Sequence, residues 1–107
     1  MVNIEKIIYR RNDNNYIISI GEECLVKYND KAIKYGYEDI EKNIKSIILM
    51  TYDWEREYID NFIIDGDNWS LSIKYKNGRE VNYNGSGKFP YNIDAFEKIL
   101  FGLVIGD

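Results

Sequence analysis

The sequence predicts a small α+β domain built on a mostly antiparallel sheet. Residues 69–75 alternate apolar and polar side chains, which is typical of a strand with one buried face. Residues 38–50 and 93–103 instead place apolar side chains at helical spacing. We therefore expect about five strands in the order β-β-β-α-β-β-α, with two helices packed on one face of the sheet.

A hairpin over residues 69–85 is expected at the centre of this arrangement. Asn77-Gly78 marks its turn, because glycine takes a positive φ freely and asparagine tolerates one. The alternation resumes after the turn. The side chains expected on the inner face of the hairpin are Trp69, Leu71, Ile73, Val81 and Tyr83.

Three further strands are predicted before the first helix. β-branched residues favour a strand within residues 1–11. An Asn/Asp-rich turn follows, after which a second strand over 16–20 is expected to pair with the first. Residues 24–28 form the third predicted strand, which ends at a turn over 29–31.

The two helices differ in the signals at their starts. The first has Ile40, Ile44, Ile47 and Ile48 on one face and acidic residues in its first turn, where they complement the positive helix end. The second is expected to be capped by the side chain of Asn92. Between the first helix and the hairpin, residues 53–68 are predicted to be an irregular connection.

Length and composition limit the classes of protein to which this chain can belong. The 107 residues fit a single domain, 1–107, and a net charge of −4 disfavours direct nucleic-acid binding and favours a partner with a basic surface. The lone cysteine, Cys24, cannot form an internal disulfide and fits a reducing compartment. No secretory leader or membrane-length apolar run is seen, so we expect a cytoplasmic monomer or homodimer without membrane contact.

Residues with catalytic or metal-binding chemistry are scarce. The absence of histidine excludes Ser-His-Asp and Cys-His nucleophile systems and the common zinc sites, and Cys24 is interpreted as a core residue. The stretch from Gly85 to Lys88 lacks the spacing of a phosphate loop. The stretch from Asp65 to Asn68 resembles part of a calcium loop without its late glutamate. We therefore expect no enzyme, no cofactor and no metal.

The densest acidic run lies in the connection between the first helix and the hairpin. This run contains six carboxylates and a single base, Arg56. Trp54 and Tyr58 lie between the acids and could serve as aromatic anchors at a contact. One interpretation is a solvated face that only keeps the protein soluble. The other is a negative surface that imitates a phosphate backbone and enters a basic protein groove. On that interpretation the partner-binding residues are Asp53, Trp54, Glu55, Glu57, Tyr58, Asp60, Asp65 and Asp67.

The last part of the chain resembles a group of small bacterial and phage-borne proteins. The pattern D-G-x-x-W-x-L-x-I-x-Y is matched by residues 65–75, and Y-x-G-S with a following proline and asparagine is matched by residues 83–92. Gly87-Lys88-Phe89 departs from the Asn-Ala-Tyr that the group tends to show. The resemblance implies a fold and no activity.

Two functional hypotheses follow. The first is a small acidic inhibitor carried by a phage or mobile element, anti-CRISPR-like by analogy of size and charge, which docks on a basic nucleic-acid-binding groove of a host defence protein. The second is a bacterial accessory or structural module that pairs with a protein partner or with itself.

Overall fold

The computed structural model describes residues 2–60, 62 and 67–105. Within these residues it contains seven strands, all in one sheet, and two helices. In chain order they are β1 (Ile4–Arg11), β2 (Asn14–Ser19), β3 (Glu23–Tyr28), β4 (Lys31–Gly36), α1 (Tyr37–Met50), β5 (Glu57–Ile59), β6 (Asn68–Tyr75), β7 (Glu80–Ser86) and α2 (Ile93–Ile105).

The sheet has the strand order β4-β3-β2-β1-β6-β7-β5. Neighbouring strands are antiparallel, except that β5 runs parallel to β7, so the sheet is mixed. The prediction of about five strands in the order β-β-β-α-β-β-α is therefore wrong. The elements follow the order β-β-β-β-α-β-β-β-α.

The two strands missing from the prediction are the two edge strands. β4 follows a tight turn in which Asn29 has a φ of 51°, and two of its six residues are lysines, which strands generally disfavour. Lysine is nevertheless suited to an edge, where its charge discourages pairing with another chain. β5 spans three residues within the connection over residues 53–68, which we call the acidic connection. It is therefore too short to show a period of two.

One face of the sheet carries the core. Along β1, for example, Ile7 and Tyr9 are buried and Ile8 between them is partly exposed. The predicted turn at Asn77-Gly78 is confirmed, with a φ of 91° at Gly78. The predicted inner face of the hairpin is also confirmed, since the buried residues include Trp69, Leu71, Ile73, Val81 and Tyr83.

Both helices contribute apolar side chains to this core. Ile40, Ile44 and Ile47 of α1 are fully buried, as the helical spacing predicts. At the far end of α2, the Lys31 ammonium donates to the carbonyl of Val104 and the Tyr35 hydroxyl donates to that of Leu103. These bonds satisfy carbonyls that a helix leaves unpaired in its last turn.

Neither of the two described helices is long and apolar enough to cross a membrane.

Candidate protein-binding surface

The acidic connection begins with a turn that returns the chain to the core. The hydroxyl of Thr51 donates to the carbonyl of Ile48, and the amide of Trp54 donates to the carbonyl of Thr51. The Trp54 side chain is 6% exposed and meets the rings of Trp69 and Tyr83 edge-on, at centroid distances of 5.6 and 5.7 Å. Its ring therefore lies in the core and presents little surface to a partner.

Asn92 joins three elements beneath this connection. Its side-chain oxygen accepts a hydrogen bond from Nε1 of Trp54 at 2.7 Å, and its side-chain nitrogen donates to the carbonyl of Met50 at 2.9 Å. The predicted capping role of this side chain is therefore wrong, because the amide is used by these longer-range partners. The bonds tie the end of α1 and the start of the acidic connection to the residue that precedes α2.

The acids on either side of Trp54 point away from the core. Asp53, Glu55 and Glu57 are exposed, and Asp60 is partly exposed and accepts a hydrogen bond from the amide of Phe62. Within the part of the chain that the structure describes, no ion pair involves any of these four carboxylates. The predicted residue Asp65 lies outside the described residues.

Arg56, the base within this run, is directed to another partner. Its guanidinium lies over the ring of Tyr83, 5.2 Å from the centroid. The ring attracts the cation, and among the described residues Arg56 forms no ion pair with a carboxylate. The negative charge of Asp53 and Glu55 is therefore open to an external cation.

Two tyrosines beside the acids were not found by sequence reasoning. Tyr52 is 88% exposed and Tyr91 is 83% exposed. The nearby Asp53 carboxylate raises the pKa of the Tyr91 hydroxyl above its usual value, chiefly through its negative charge. No periodic pattern marks either residue, because both lie in connections between elements, and the contact of Asp53 with Tyr91 joins distant parts of the sequence.

Tyr58 supports the surface from below. Its hydroxyl accepts a hydrogen bond from the amide of Glu55 at 2.9 Å, and its ring lies 5.9 Å from that of Trp69. The side chain is partly buried. It therefore fixes the backbone at Glu55, so that the carboxylate of this residue is displayed from a defined position.

Asp67 belongs to a separate polar network. Its carboxylate accepts hydrogen bonds from Arg11 at 2.9 Å and from Asn12 at 3.0 Å. Arg11 also donates to Glu97 at 2.6 Å, and Glu97 accepts a further bond from the buried Tyr9 hydroxyl. The network fastens β1 to α2 and to the start of β6, so Asp67 serves the fold and its charge is already matched.

The network gives Asp67 a defined response to acid. The hydrogen bond from Asn12, with those from Arg11, lowers the pKa of Asp67 from its ordinary 3.8. A carboxylate with a lowered folded-state pKa stabilises the fold above its unfolded pKa, and the benefit is lost as the pH falls through the folded value. We expect the unfolding free energies of wild type and Asp67→Asn to differ at neutral pH and to converge below pH 3.8.

Urea denaturation over a pH series measures this convergence. Asp13→Asn, which removes a carboxylate from the neighbouring β1–β2 turn, is the matched control. A gap for Asp67→Asn that does not change with pH would contradict the role assigned to its ion pair.

The surface also contains a cleft next to this network, with a volume of about 380 Å³. Its charged groups include Arg11 and Glu97, which are bound to each other. Among the described residues, no three cysteine or carboxylate side chains cluster as a metal ion would require. Cys24 is buried, which confirms the interpretation of this residue as part of the core.

Comparisons of the chain with protein-family models, with curated proteins and with solved structures find no match. The resemblance to small bacterial and phage-borne proteins stays a prediction.

Proposed function

We propose that this chain is a small non-catalytic protein of the cytoplasm, monomeric or homodimeric, that binds a protein with a basic surface. The contact is made by Asp53, Glu55 and Tyr91, which together form what we call the acidic–aromatic surface. One observation carries the proposal: carboxylates without an ion-pair partner among the described residues lie beside a tyrosine that is 83% exposed.

The rigidity of this surface supports a binding role. Trp54 is held in the core by its neighbours and by Asn92, and the backbone at Glu55 is held by Tyr58. A surface that is ordered before binding loses less conformational entropy when the partner arrives. Carboxylates fixed in this way form charge-assisted hydrogen bonds with arginine or lysine. Tyrosine adds a large contact area with few rotatable bonds.

The class of partner follows from the charge. A protein groove that binds nucleic acid is lined by arginine and lysine, which respond to any negative charge at suitable spacing. A chain with a net charge of −4 and exposed carboxylates on an ordered segment is suited to occupy such a groove. We propose that the binding is inhibitory, as in anti-CRISPR proteins from phages, and that the chain itself does not bind nucleic acid.

A second candidate function is an accessory module that pairs with itself. It is favoured by Leu49, which is 75% exposed and borders an apolar cleft of about 410 Å³ that also includes Val2, Ile4 and Tyr75. Sedimentation over a concentration series tests whether the chain pairs with itself through this cleft. A dimer that Leu49→Lys dissociates supports the second one.

Reversing the charge of Asp53 and Glu55 to lysine is expected to slow association with the basic partner about tenfold at low salt, because electrostatic steering is lost. The difference should shrink as salt rises and the screening length falls to ~3 Å near 1 M. Thermal stability should change little, since both side chains are exposed. The partner is first captured from a bacterial lysate on immobilised wild type, and association rates are then measured by surface plasmon resonance.

The control is Asp13→Lys with Glu22→Lys, which makes the same change in net charge at exposed positions in other turns. It should associate at close to the wild-type rate. If the Asp53/Glu55 variant captures the same protein and binds it as fast as wild type over the salt series, the acidic–aromatic surface is not the site. Capture of proteins with acidic surfaces alone would also contradict the proposal.

A further inference from the structure

The sheet has a second face, opposite the helices, whose chemistry differs from that of the acidic–aromatic surface. The register places Ile8 of β1 directly opposite Ile17 of β2 on this face. Leu25 of β3 lies one strand further along, diagonal to Ile17. All three are partly exposed, and each stands between two residues that point into the core side of the sheet. They form one aliphatic strip across three neighbouring strands, within the range of cross-strand contact.

Four cations surround this strip. Lys27 lies opposite Ile17, and Lys34 lies opposite Leu25. Lys6 and Arg10 flank Ile8 on β1, two residues to either side, and so share its face. Within the described part of the chain, no ion pair involves any of these cations. We call the strip and these cations the basic sheet face.

Few acids offset this charge. Glu80, at the far side of the same face, is paired with Lys74 at 3.6 Å. Glu23 lies at the end of β3 opposite Gly36, and Glu5 is exposed next to Lys6 at the irregularity of β1. A chain with a net charge of −4 therefore carries a local excess of positive charge around an aliphatic centre. Apolar side chains inside a charged rim are the arrangement found at protein interfaces, where the centre excludes water and the rim sets the partner.

We infer that the basic sheet face binds an acidic amphipathic helix of a partner protein. β1, β2 and β3 are inner strands whose backbone groups are paired on both sides, so an extended peptide has no free ladder to join. A helix instead needs a row of apolar contacts beneath it, which the strip provides. Glutamate or aspartate on the flanks of such a helix would meet the four cations. This site is independent of the acidic–aromatic surface and takes a partner of opposite charge.

The aromatic residues of these strands argue against a nucleic acid on the same face. Single-stranded nucleic acids bind sheets by stacking bases on aromatic rings. In β1, β2, β3 and β4 the tyrosines occupy the opposite face, since Tyr9, Tyr16 and Tyr28 lie in one cross-strand row and Tyr35 is paired with the buried Cys24. The exposed centre of the face is aliphatic, which suits the apolar side of a helix.

The test is an NMR titration of the full chain with a designed helical peptide of about 20 residues, roughly 30 Å long. The peptide carries leucines at positions i, i+3, i+4 and i+7 of each repeat and glutamates elsewhere. We expect amide shifts centred on Ile8, Ile17 and Leu25. The variant with Lys27→Glu and Lys34→Glu should bind at least tenfold more weakly, and Ile17→Ser should also weaken binding. The matched control, Lys42→Glu with Lys98→Glu, changes exposed lysines of the helices by the same charge and should bind like wild type.

Several results would overturn the inference. One is the absence of amide shifts at about 1 mM peptide. Another is that a peptide with lysine in place of glutamate binds as tightly as the acidic peptide. A third is that the Lys27/Lys34 variant binds the acidic peptide as tightly as wild type does. Tighter binding of a fluorescent single-stranded DNA to the same amides would assign the face to nucleic acid instead. Salt-sensitive self-association that the Lys27/Lys34 variant abolishes would assign it to a second copy. Circular dichroism melts of each variant keep a loss of folding separate from a loss of binding.

Discussion

Replacing Gly85 by alanine is expected to lower the free energy of unfolding by about 3 kcal/mol or more, at the upper end of the cost of overpacking. A Cβ on Gly85 would lie 2.2 Å from Nε1 of Trp69 and 2.8 Å from the carbonyl oxygen of Lys88. The two groups are also bonded to each other, because Trp69 Nε1 donates to that carbonyl at 2.9 Å. The buried indole cannot withdraw without breaking this bond and displacing its neighbours.

Gly102→Ala is the matched control for this prediction. A Cβ at Gly102 meets no atom within 4 Å, and the residue lies in α2. Alanine is favoured over glycine within a helix by up to about 1 kcal/mol, so this variant should be more stable than wild type. Urea denaturation gives both values. Equal stability of Gly85→Ala and wild type would show that the ring can move and that the close approach is not a constraint.

Replacing Trp54 by alanine is expected to cost about 3–5 kcal/mol, as for other large side chains removed from a core. The ring contacts Trp69, Tyr83 and Phe96, the last at a centroid distance of 5.1 Å. The variant also leaves the Asn92 oxygen without its Trp54 donor. A domain of this size should then melt roughly 12–40 °C lower.

Trp54→Phe separates packing from hydrogen bonding. It keeps an aromatic ring and loses the bond to Asn92, so we expect a smaller cost of about 1–2 kcal/mol. Differential scanning calorimetry provides the comparison. An alanine variant that melts within 5 °C of wild type would contradict the core position of this ring, since about 4–8 °C is expected for each kcal/mol.

The parts of the fold that sequence reasoning predicts are those with local signals. The Asn77-Gly78 turn, the alternation after Trp69 and the helical spacing of Ile40, Ile44 and Ile47 each depend on neighbouring residues, and all three are present in the structure. The edge strands lack such signals. β4 is rich in lysine and β5 has three residues, and each is held by pairing with a single neighbouring strand.

The candidate site divides in the same way. Exposure of Asp53 and Glu55 follows from their charge and is present in the structure. The burial of Trp54 does not follow from its surroundings in the sequence, because acidic residues flank it and its partner Asn92 is 38 residues away. Likewise the pairing of Asp67 with Arg11 spans 56 residues. Contacts of this kind are set by the order of strands in the sheet, which no local pattern records.

The central position of β1 has a consequence for the newly made protein. Its two partners are β2, which follows immediately, and β6, which is separated from it by four strands and a helix. At ~5–20 residues per second, the ribosome needs roughly 3–12 s to supply the missing partner. Until then one edge of β1 is open to pairing with other chains. Chaperones that act on nascent chains would therefore have their effect within this interval, before the last helix can cover the core.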